Sequence, residues 1–479
     1  MITDSIFDFA ERTPEKTALV YNGQPLSYRA FAANVALARG YFASRGVTGS
    51  GLAVLVIFNL LDFWVLSLAL RSLGLTTVAV QSVEAFEECR LQEARCVVAS
   101  AAEGALGLEA WCAAHACDLF RVSLVGESPL GPNEAASPER PGGHILLTSG
   151  TTGLRKKVLM DPAFEAEFMH DRQEILGIDQ DSVVVAFSFG AWTGIGYNSP
   201  LSAWFVGATT VIDQGREPHM ALLWPGVTHA MVFPQLLAGL LAAPEGAFPP
   251  NPAMHLSVTS GAITQAQIDQ TRVRITPRIF NRVGSTEVNT FANTLLETPE
   301  DHRWHRLVAG REVQIVDDQD RPVPIGEIGL VRVSTAGGPT GYLDDPEATA
   351  AFFKDGFFYP GDLAVMREDG RMALRGRATD VINVGGHKIL PAPIETRLLE
   401  ALGVSGVCLF SMQDETGEEQ LHVAIETPAP IAAQVLAAAL RREIQGYPGV
   451  HVHFVSALPR NDTGKIVRRA VVSEVLAVR

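Results

Sequence analysis

The chain has 479 residues, 47% hydrophobic and 19% charged, with 43 glycines and 28 prolines spread along it. That length exceeds one compact core, and that composition excludes a disordered or fibrous chain. A net charge of -15 excludes a broad nucleic-acid surface, which needs excess Lys and Arg, yet leaves room for a small anion pocket.

Five cysteines are thinly spaced: Cys89, Cys96, Cys112, Cys117 and Cys408. An odd, scattered set predicts reduced thiols and a cytoplasmic setting rather than a disulfide framework. Cys112, His115 and Cys117 lie close together, but no second ligand pair occurs at finger spacing, so no metal site is read there. The opening MITDSIFDFAERTPEKTALV has no basic start leading into an apolar run, so no signal peptide is expected.

In chain order, FAANVALARGYFASRG reads as an amphipathic helix and LAVLVIF as a strand. Residues 51–80 are the most apolar stretch. Asn59, Asp62 and Arg71 interrupt it too often for a membrane span, which leaves a buried helix and then the buried strand TTVAV. CVVAS, SVVVAF, ATTVI and AMVFP are further strand-like runs, and QLLAGLLAA directly after AMVFP is helical. Such alternation predicts layered α/β structure with buried sheets. After about residue 310 the pattern shortens: REVQIVDD, GEIGLVRVS and FFYPGDLAVMREDGRMALRGR are short strands around turns such as Glu368-Asp369-Gly370. Beyond Gly376, stretches at 381–382, 392–402, 404–409, 421–426 and 434–445 read as a separate α+β unit. The expected architecture is therefore α/β. Residues 1–377 form a large N-terminal domain of two layered α/β subdomains plus a small β-barrel-like one, and residues 378–479 form a small mobile α+β C-terminal domain.

Three segments carry chemistry. In HILLTSGTTGLRKKV a strand runs into Thr148-Ser149-Gly150-Thr151-Thr152-Gly153, and then come Arg155, Lys156 and Lys157. Small residues let backbone N–H groups turn to an anion, hydroxyls add donors, and the cations neutralise charge. An ordinary polar turn would have the same letters, and the spacing is not that of the kinase-type G-x-x-x-x-G-K-[ST] loop. NRVGSTEVN ends a Gly-Ser-Thr turn on Glu287, an acid able to hold Mg²⁺ with phosphate and water, or simply to complete a capping box. LPRNDTGKIVRR sets Lys465 after a flexible turn, where a lysine can stabilise developing negative charge or be a plain surface residue.

Together, and in this order, these segments resemble the superfamily of acyl-CoA synthetases, peptide-synthetase adenylation domains and luciferases. TSGTTGLRKKV is similar to its phosphate loop T-S-G-T-T-G-x-P-K-G, VGSTE to Y-G-x-T-E, and YPGDL to its T-G-D motif. GRATDVINVGGHKILPAPIE matches its hinge motif, and LPRNDTGK its terminal L-P-x-x-x-x-G-K; VTSGAIT and GYLDDPEAT are weaker echoes. The resemblance runs along nearly the whole chain. It implies that Thr148, Ser149, Thr151, Thr152 and Lys156 cradle the β- and γ-phosphates of ATP, with Gly150 and Gly153 shaping the loop. Gly261, Ala262, Val283, Gly284 and Ser285 would line the adenine pocket, and Thr286 would meet the α-phosphate. Glu287 would hold Mg²⁺, and Asp362 and Arg377 would bind the ribose. Lys465 would bridge the substrate carboxylate and α-phosphate, Asp380 would be the hinge, and the 383–388 segment with Gly385, Gly386 and Lys388 would face the acyl acceptor after the small domain turns.

Departures from the pattern narrow the substrate. Arg155 and Lys157 replace Pro and Gly, and Val283 replaces the aromatic that would stack on adenine. VVVAFSFGAWTGIGYNSP carries no aspartate to pair an α-amine, so Phe189, Trp192, Gly194 and Tyr197 suggest an apolar or aromatic acid, or else ordinary core. The implied activity is ATP-dependent formation of an acyl-adenylate, then transfer to a thiol. The acceptor is CoA or, alternatively, the phosphopantetheine of a carrier protein. A nucleotide-binding regulator with a decayed site is opposed by the presence of Glu287, Asp362, Arg377 and Lys465.

Overall fold

The computed structural model describes residues 2–91, 93–100, 107–124, 141–148, 155–335, 338–384, 387–414, 417–444, 449–461 and 464–477. Burial dictates the first sheet. Leu52–Val56 is buried at every position and lies between the parallel strands Thr76–Ala79 and Ala94–Ser100. The full spatial order is Asp118–Val122, Ala94–Ser100, Leu52–Val56, Thr76–Ala79, His144–Thr148, Lys156–Met160, the last pair antiparallel. The apolar 51–80 stretch resolves as expected into strand, helix and strand. Its helix, Leu60–Ser72, is buried nearly all round and is N-capped by Asn59, which accepts from the Asp62 N–H at 3.0 Å. Asp62 is fully buried yet satisfied, accepting from the Ser100 and Ser123 hydroxyls and the Leu124 N–H.

The second sheet has eight strands, ordered Asn289–Leu295, Ile279–Ser285, His255–Val258, His229–Val232, Val183–Val185, Thr209–Ile212, Thr17–Tyr21, Gln24–Ser27. Its six central strands are parallel, and each edge strand is antiparallel. Residues 313–377 form a third, antiparallel sheet in which Asp362 faces Arg377 across neighbouring strands. Toward the C-terminus, Gly406–Gln413, Glu419–Glu426 and Val450–Val455 make a three-stranded sheet. Helices Pro391–Leu402 and Ala433–Glu443 cover one face, and Val471 and Val475 of helix Arg468–Ala477 cover the other. No helix among the described residues is long and apolar enough to cross a membrane.

The helices between the two large sheets meet at one polar cluster. Arg71 and Glu165 are both buried, with Nη2 and Oε2 2.8 Å apart. The Tyr197 hydroxyl donates to Glu165 Oε1 at 2.6 Å and accepts from Arg71 Nη1 at 2.6 Å, and Arg71 Nε donates to Gly142 O. Burial alone would disfavour the guanidinium, but the facing Glu165 and Tyr197 hold its pKa above the ordinary arginine value. The Tyr197 ring stacks on His144 at 4.2 Å. Tyr197 is thus a core residue whose hydroxyl closes an ion pair, and the acid-pocket role read for it from the aromatic stretch gives way to this one.

Removing one partner strands a buried charge. Arg71→Met should cost about 3–5 kcal/mol in urea denaturation, and adding Glu165→Met should recover much of that loss. Additive losses would mean the pair is not coupled.

Candidate active site

The carboxyl ends of the parallel strands open on one edge, where ligands bind in sheets of this type. Three non-glycine residues there adopt left-handed backbone: Phe187 after Val183–Val185, Ser260 after His255–Val258, and Asn289 after the turn beyond Ile279–Ser285. Strained conformations gather where function over-determines the chain. Phe189, half-buried, packs on Phe233 with ring centroids 4.8 Å apart. Trp192 meets Phe58 edge-on at 6.0 Å, and Gly190 gives it room, since an added Cβ would lie 2.2 Å from the indole. Gly194 opens the helix Gly194–Trp204 so close to Thr286 that an added Cβ would sit 3.1 Å from its hydroxyl oxygen. Phe189, Trp192, Gly194 and Thr286 therefore share one end of the sheet, while Tyr197 lies in the core. Gly261 and Ala262 are at the same edge, just beyond His255–Val258, with Gly261 exposed. Val283, Gly284 and Ser285 end the neighbouring strand, with Val283 packed against the core.

Glu287 lies in the turn between two antiparallel strands paired from Ser285 and Asn289, and only 5% of it is exposed. Its Oε1 accepts from the Tyr342 hydroxyl at 2.7 Å. Facing it is Lys156, at the start of the strand antiparallel to His144–Thr148, with Thr148 as its cross-strand partner. The Lys156 ammonium rests on the Phe352 ring, 3.0 Å from the centroid, with Tyr342 at 5.3 Å. Burial lowers its pKa to about 8; Glu287 and Asp345 oppose that shift and Arg377 reinforces it. Ser149, Gly150, Thr151, Thr152 and Gly153 lie outside the described residues, as do Gly385 and Gly386. Lys157, one of the departures from the loop pattern, turns inward and donates to Cys89 O at 2.9 Å.

Asp362 and Arg377 form an ion pair, Oδ1 to Nε 2.9 Å, and Arg377 also donates to Pro360 O. Burial raises the Asp362 pKa against the pull of Arg377 and Lys465. Lys465 comes from the far end of the chain. Its turn is closed by Asn461, whose side chain accepts from the Lys465 N–H and whose N–H donates back to Lys465 O, both at 2.9 Å. An added Cβ on Gly464 would lie 3.2 Å from Gln235 Oε1, so the turn sits against helix Pro234–Ala242 of the large sheet. Water reaches the exposed Lys465 side chain, but the surrounding protein lowers its pKa. Arg377 lowers it further, while Asp362 and Glu287 favour the cation.

Five side chains from five segments thus converge: Lys156, Glu287, Asp362, Arg377 and Lys465. Three cations around two carboxylates make a site suited to a polyphosphate. No group of three metal-ligating side chains occurs among the described residues. A hard divalent cation fits Glu287 only when phosphate and water complete its shell. Tyr342 and Phe352 were assigned no role from sequence; the GYLDDPEAT echo marks the first, and nothing local marks the second. Asp380 lies 3.7 Å from Arg468, which also grips Glu395 at 2.7 Å, so it is tied to the C-terminal unit. Lys388 is exposed elsewhere, in a surface groove with Arg397, Arg442 and Glu443.

Known proteins resemble this chain in sequence and in fold. A long-chain-fatty-acid–CoA ligase of Salmonella typhimurium is 31% identical over 46% of this chain, and the match spans only 40% of that ligase. A 4-chlorobenzoate–CoA ligase from Arthrobacter is 27% identical across 96% of this chain and 93% of its own. The crystal structure of ATP-bound MatB from Rhodopseudomonas palustris superposes with a TM-score of 0.86 at 21% identity, covering 99% of this chain and 98% of that one. The model of the AMP-binding enzyme family matches residues 6–343, a span holding Thr148, Lys156, Gly261, Glu287 and Tyr342. With that match covering most of the chain, the protein belongs to the AMP-binding enzyme family.

Proposed function

We propose that the protein uses ATP to convert a carboxylic acid to an acyl-adenylate, releasing pyrophosphate, and then passes the acyl group to a thiol, CoA in the preferred reading. The observation that carries it is the convergence of Lys465 with Asp362, Arg377 and Glu287. In the first step a carboxylate oxygen attacks the α-phosphorus and the bond to the β-phosphate breaks. Two anions must approach, so the site needs positive charge and alignment rather than a base. Lys465 bridges the carboxylate and α-phosphate, and Thr286 donates to that phosphate. Lys156 and the loop from Thr148 hold the outer phosphates. Asp362 accepts from the ribose hydroxyls beside Arg377. Gly261, Ala262 and the segment 283–285 flank the adenine. Glu287 would hold Mg²⁺, which supplies charge neutralisation when bound. In the second step the thiol sulfur attacks the acyl carbonyl and AMP leaves. Phe189, Trp192 and Gly194 favour an apolar or aromatic acid.

This reading divides the chain at 377/378, with Asp380 as the pivot. Lys465 and the 383–388 segment serve alternate steps as the small domain turns. A carrier-bound phosphopantetheine thiol is the finer alternative for the acceptor. Thioester formed on free CoA supports the preferred reading; product only with a carrier present would replace CoA with the carrier.

Lys465→Ala should slow acyl-adenylate formation, read by pyrophosphate exchange, about 10²–10³-fold, or roughly 3–4 kcal/mol. Thioester formation from supplied acyl-adenylate should survive. Normal exchange in that variant would reduce Lys465 to a surface residue, and equal loss of both steps would rule out alternation.

Lys156 gives a pH signature. With its pKa at about 8 the free enzyme loses this cation as pH rises through that value, so kcat/KM for ATP should decline on the alkaline side. Lys156→Ala should lower kcat/KM at pH 7 and flatten the decline. A decline that persists unchanged would assign it to another group.

A further inference from the structure

One buried polar side chain beside the crevice has a role in neither the core nor the reaction as described so far. Asn198 lies in helix Gly194–Trp204 and is 4% exposed. Its backbone carbonyl accepts from the Ser202 hydroxyl at 2.6 Å. Its side-chain oxygen is enclosed and accepts no hydrogen bond among the described residues. Tyr197, its neighbour in the same helix, shows the usual condition, its buried hydroxyl bonded to both Arg71 and Glu165. A buried amide left unmatched is costly, so it calls for a partner from outside the chain.

Helix geometry aims this amide. Side chains lean toward the helix N-terminus, so that of Asn198 covers the turn that begins at Gly194. A Cβ built on Gly194 would lie 3.9 Å from Asn198 Nδ2 and 3.1 Å from Thr286 Oγ1. One point in the crevice is thus flanked by the Asn198 amide and by the hydroxyl assigned to the α-phosphate, and glycine keeps that point clear of side chain. Gly194 is itself only partly buried, so the point is open to a ligand. Phe189 and Trp192, each packed against a hydrophobic cluster, give the same end of the sheet an apolar face.

We propose that Asn198 determines specificity: it recognises a hydroxyl or uncharged amine on the acid, carried by the carbon next to the one that bears the carboxyl group. This rests on the adenylation reading and narrows its substrate to an apolar or aromatic acid with that substituent. Distance sets the position of the group. The carboxylate must reach the phosphate met by Thr286, and Asn198 lies close to the same point, so a substituent at the far end of the acid is out of its reach. Chemistry sets its kind. An amide offers a donor and an acceptor, which a hydroxyl or amine can match, whereas a neutral amide leaves an ammonium uncompensated.

The test is pyrophosphate exchange by the full chain with a panel of aryl and alkyl acids, each taken with and without that one substituent. Benzoate is paired with 2-hydroxy- and 2-aminobenzoate, and octanoate with 3-hydroxyoctanoate. For the preferred skeleton, the substituted acid should exceed its parent in kcat/KM by about 10²-fold or more. Asn198→Leu, similar in size but without the amide, should collapse that ratio, chiefly by raising KM for the substituted acid. A merely structural role would lower activity on both acids and leave the ratio unchanged. Equal rates for parent and substituted acids, as a bound water completing the amide would give, or a ratio that survives Asn198→Leu, would overturn the proposal and leave adenylation standing. Exchange with no acid of the panel would instead overturn the adenylation reading, and this proposal with it. If Asn198→Leu does not fold, the paired comparison on the wild-type chain decides.

Discussion

The site depends on the Arg71–Glu165–Tyr197 cluster, because it is where the two large sheets are locked to each other. Arg71 comes from the helix beneath the first sheet, Glu165 from the helix after the Lys156 strand, and Tyr197 from the helix that begins at Gly194. A hydrophobic contact would tolerate sliding. A buried ion pair with a hydroxyl closing it does not, since any shift leaves a desolvated charge. The strand bearing Lys156 and the helix opening beside Thr286 are thereby fixed relative to one another, although they belong to different layers.

Across that fixed floor, electrostatics rather than shape separates the roles in the crevice. Glu287 is held by Tyr342 and is almost wholly buried. Asp362 is paired with Arg377, so it presents a carboxylate whose charge is partly balanced and which can accept from hydroxyls. Lys156 lies on Phe352, a face that offers a cation weak attraction without a counter-ion, and so remains available to a better anionic partner. Each group is held by an interaction that a phosphate or sugar can outcompete or share, which is what a binding site must retain and a structural ion pair must not.

Sequence reading found the parts whose signal is local. Leu52–Val56 and Thr76–Ala79 are continuous apolar runs, as buried parallel strands must be, and the helix between them is apolar all round. Glu287, Asp362, Arg377 and Lys465 were marked by short motifs, and the chain brings all four together. What escaped depends on tertiary contact. Val450–Val455 alternates Val with His, which does not read as an apolar edge, yet its histidines stack with His422 on the neighbouring strand. Tyr197 looked like a pocket aromatic because its neighbours are glycines, and only the positions of Arg71 and Glu165 reveal why a hydroxyl is needed there. Phe352 lies in a short helix with no buried position, so nothing in its own segment announces that a lysine far earlier in the chain will rest on it.

The C-terminal unit shows how an exposed lysine on a turn is placed. Glu426 accepts from the Leu458 N–H and pairs with Arg460, which anchors the approach to the turn, and Asn461 closes the turn itself. At the other end Arg468 joins Glu395 and Asp380, so the segment that would pivot is bound to the same rigid body as the lysine turn. Under the proposed alternation, rotation at residues 377–380 would move Lys465 as part of a block, not as a flexible side chain searching for its target. Against a preorganised block, the cost of ordering the lysine is met in folding rather than at the moment of reaction. That same arrangement leaves Lys388, on the strand His387–Ile389 at a separate surface groove, outside the crevice while Lys465 occupies it. Under the proposed alternation, the domain would serve the two steps by turning as a whole.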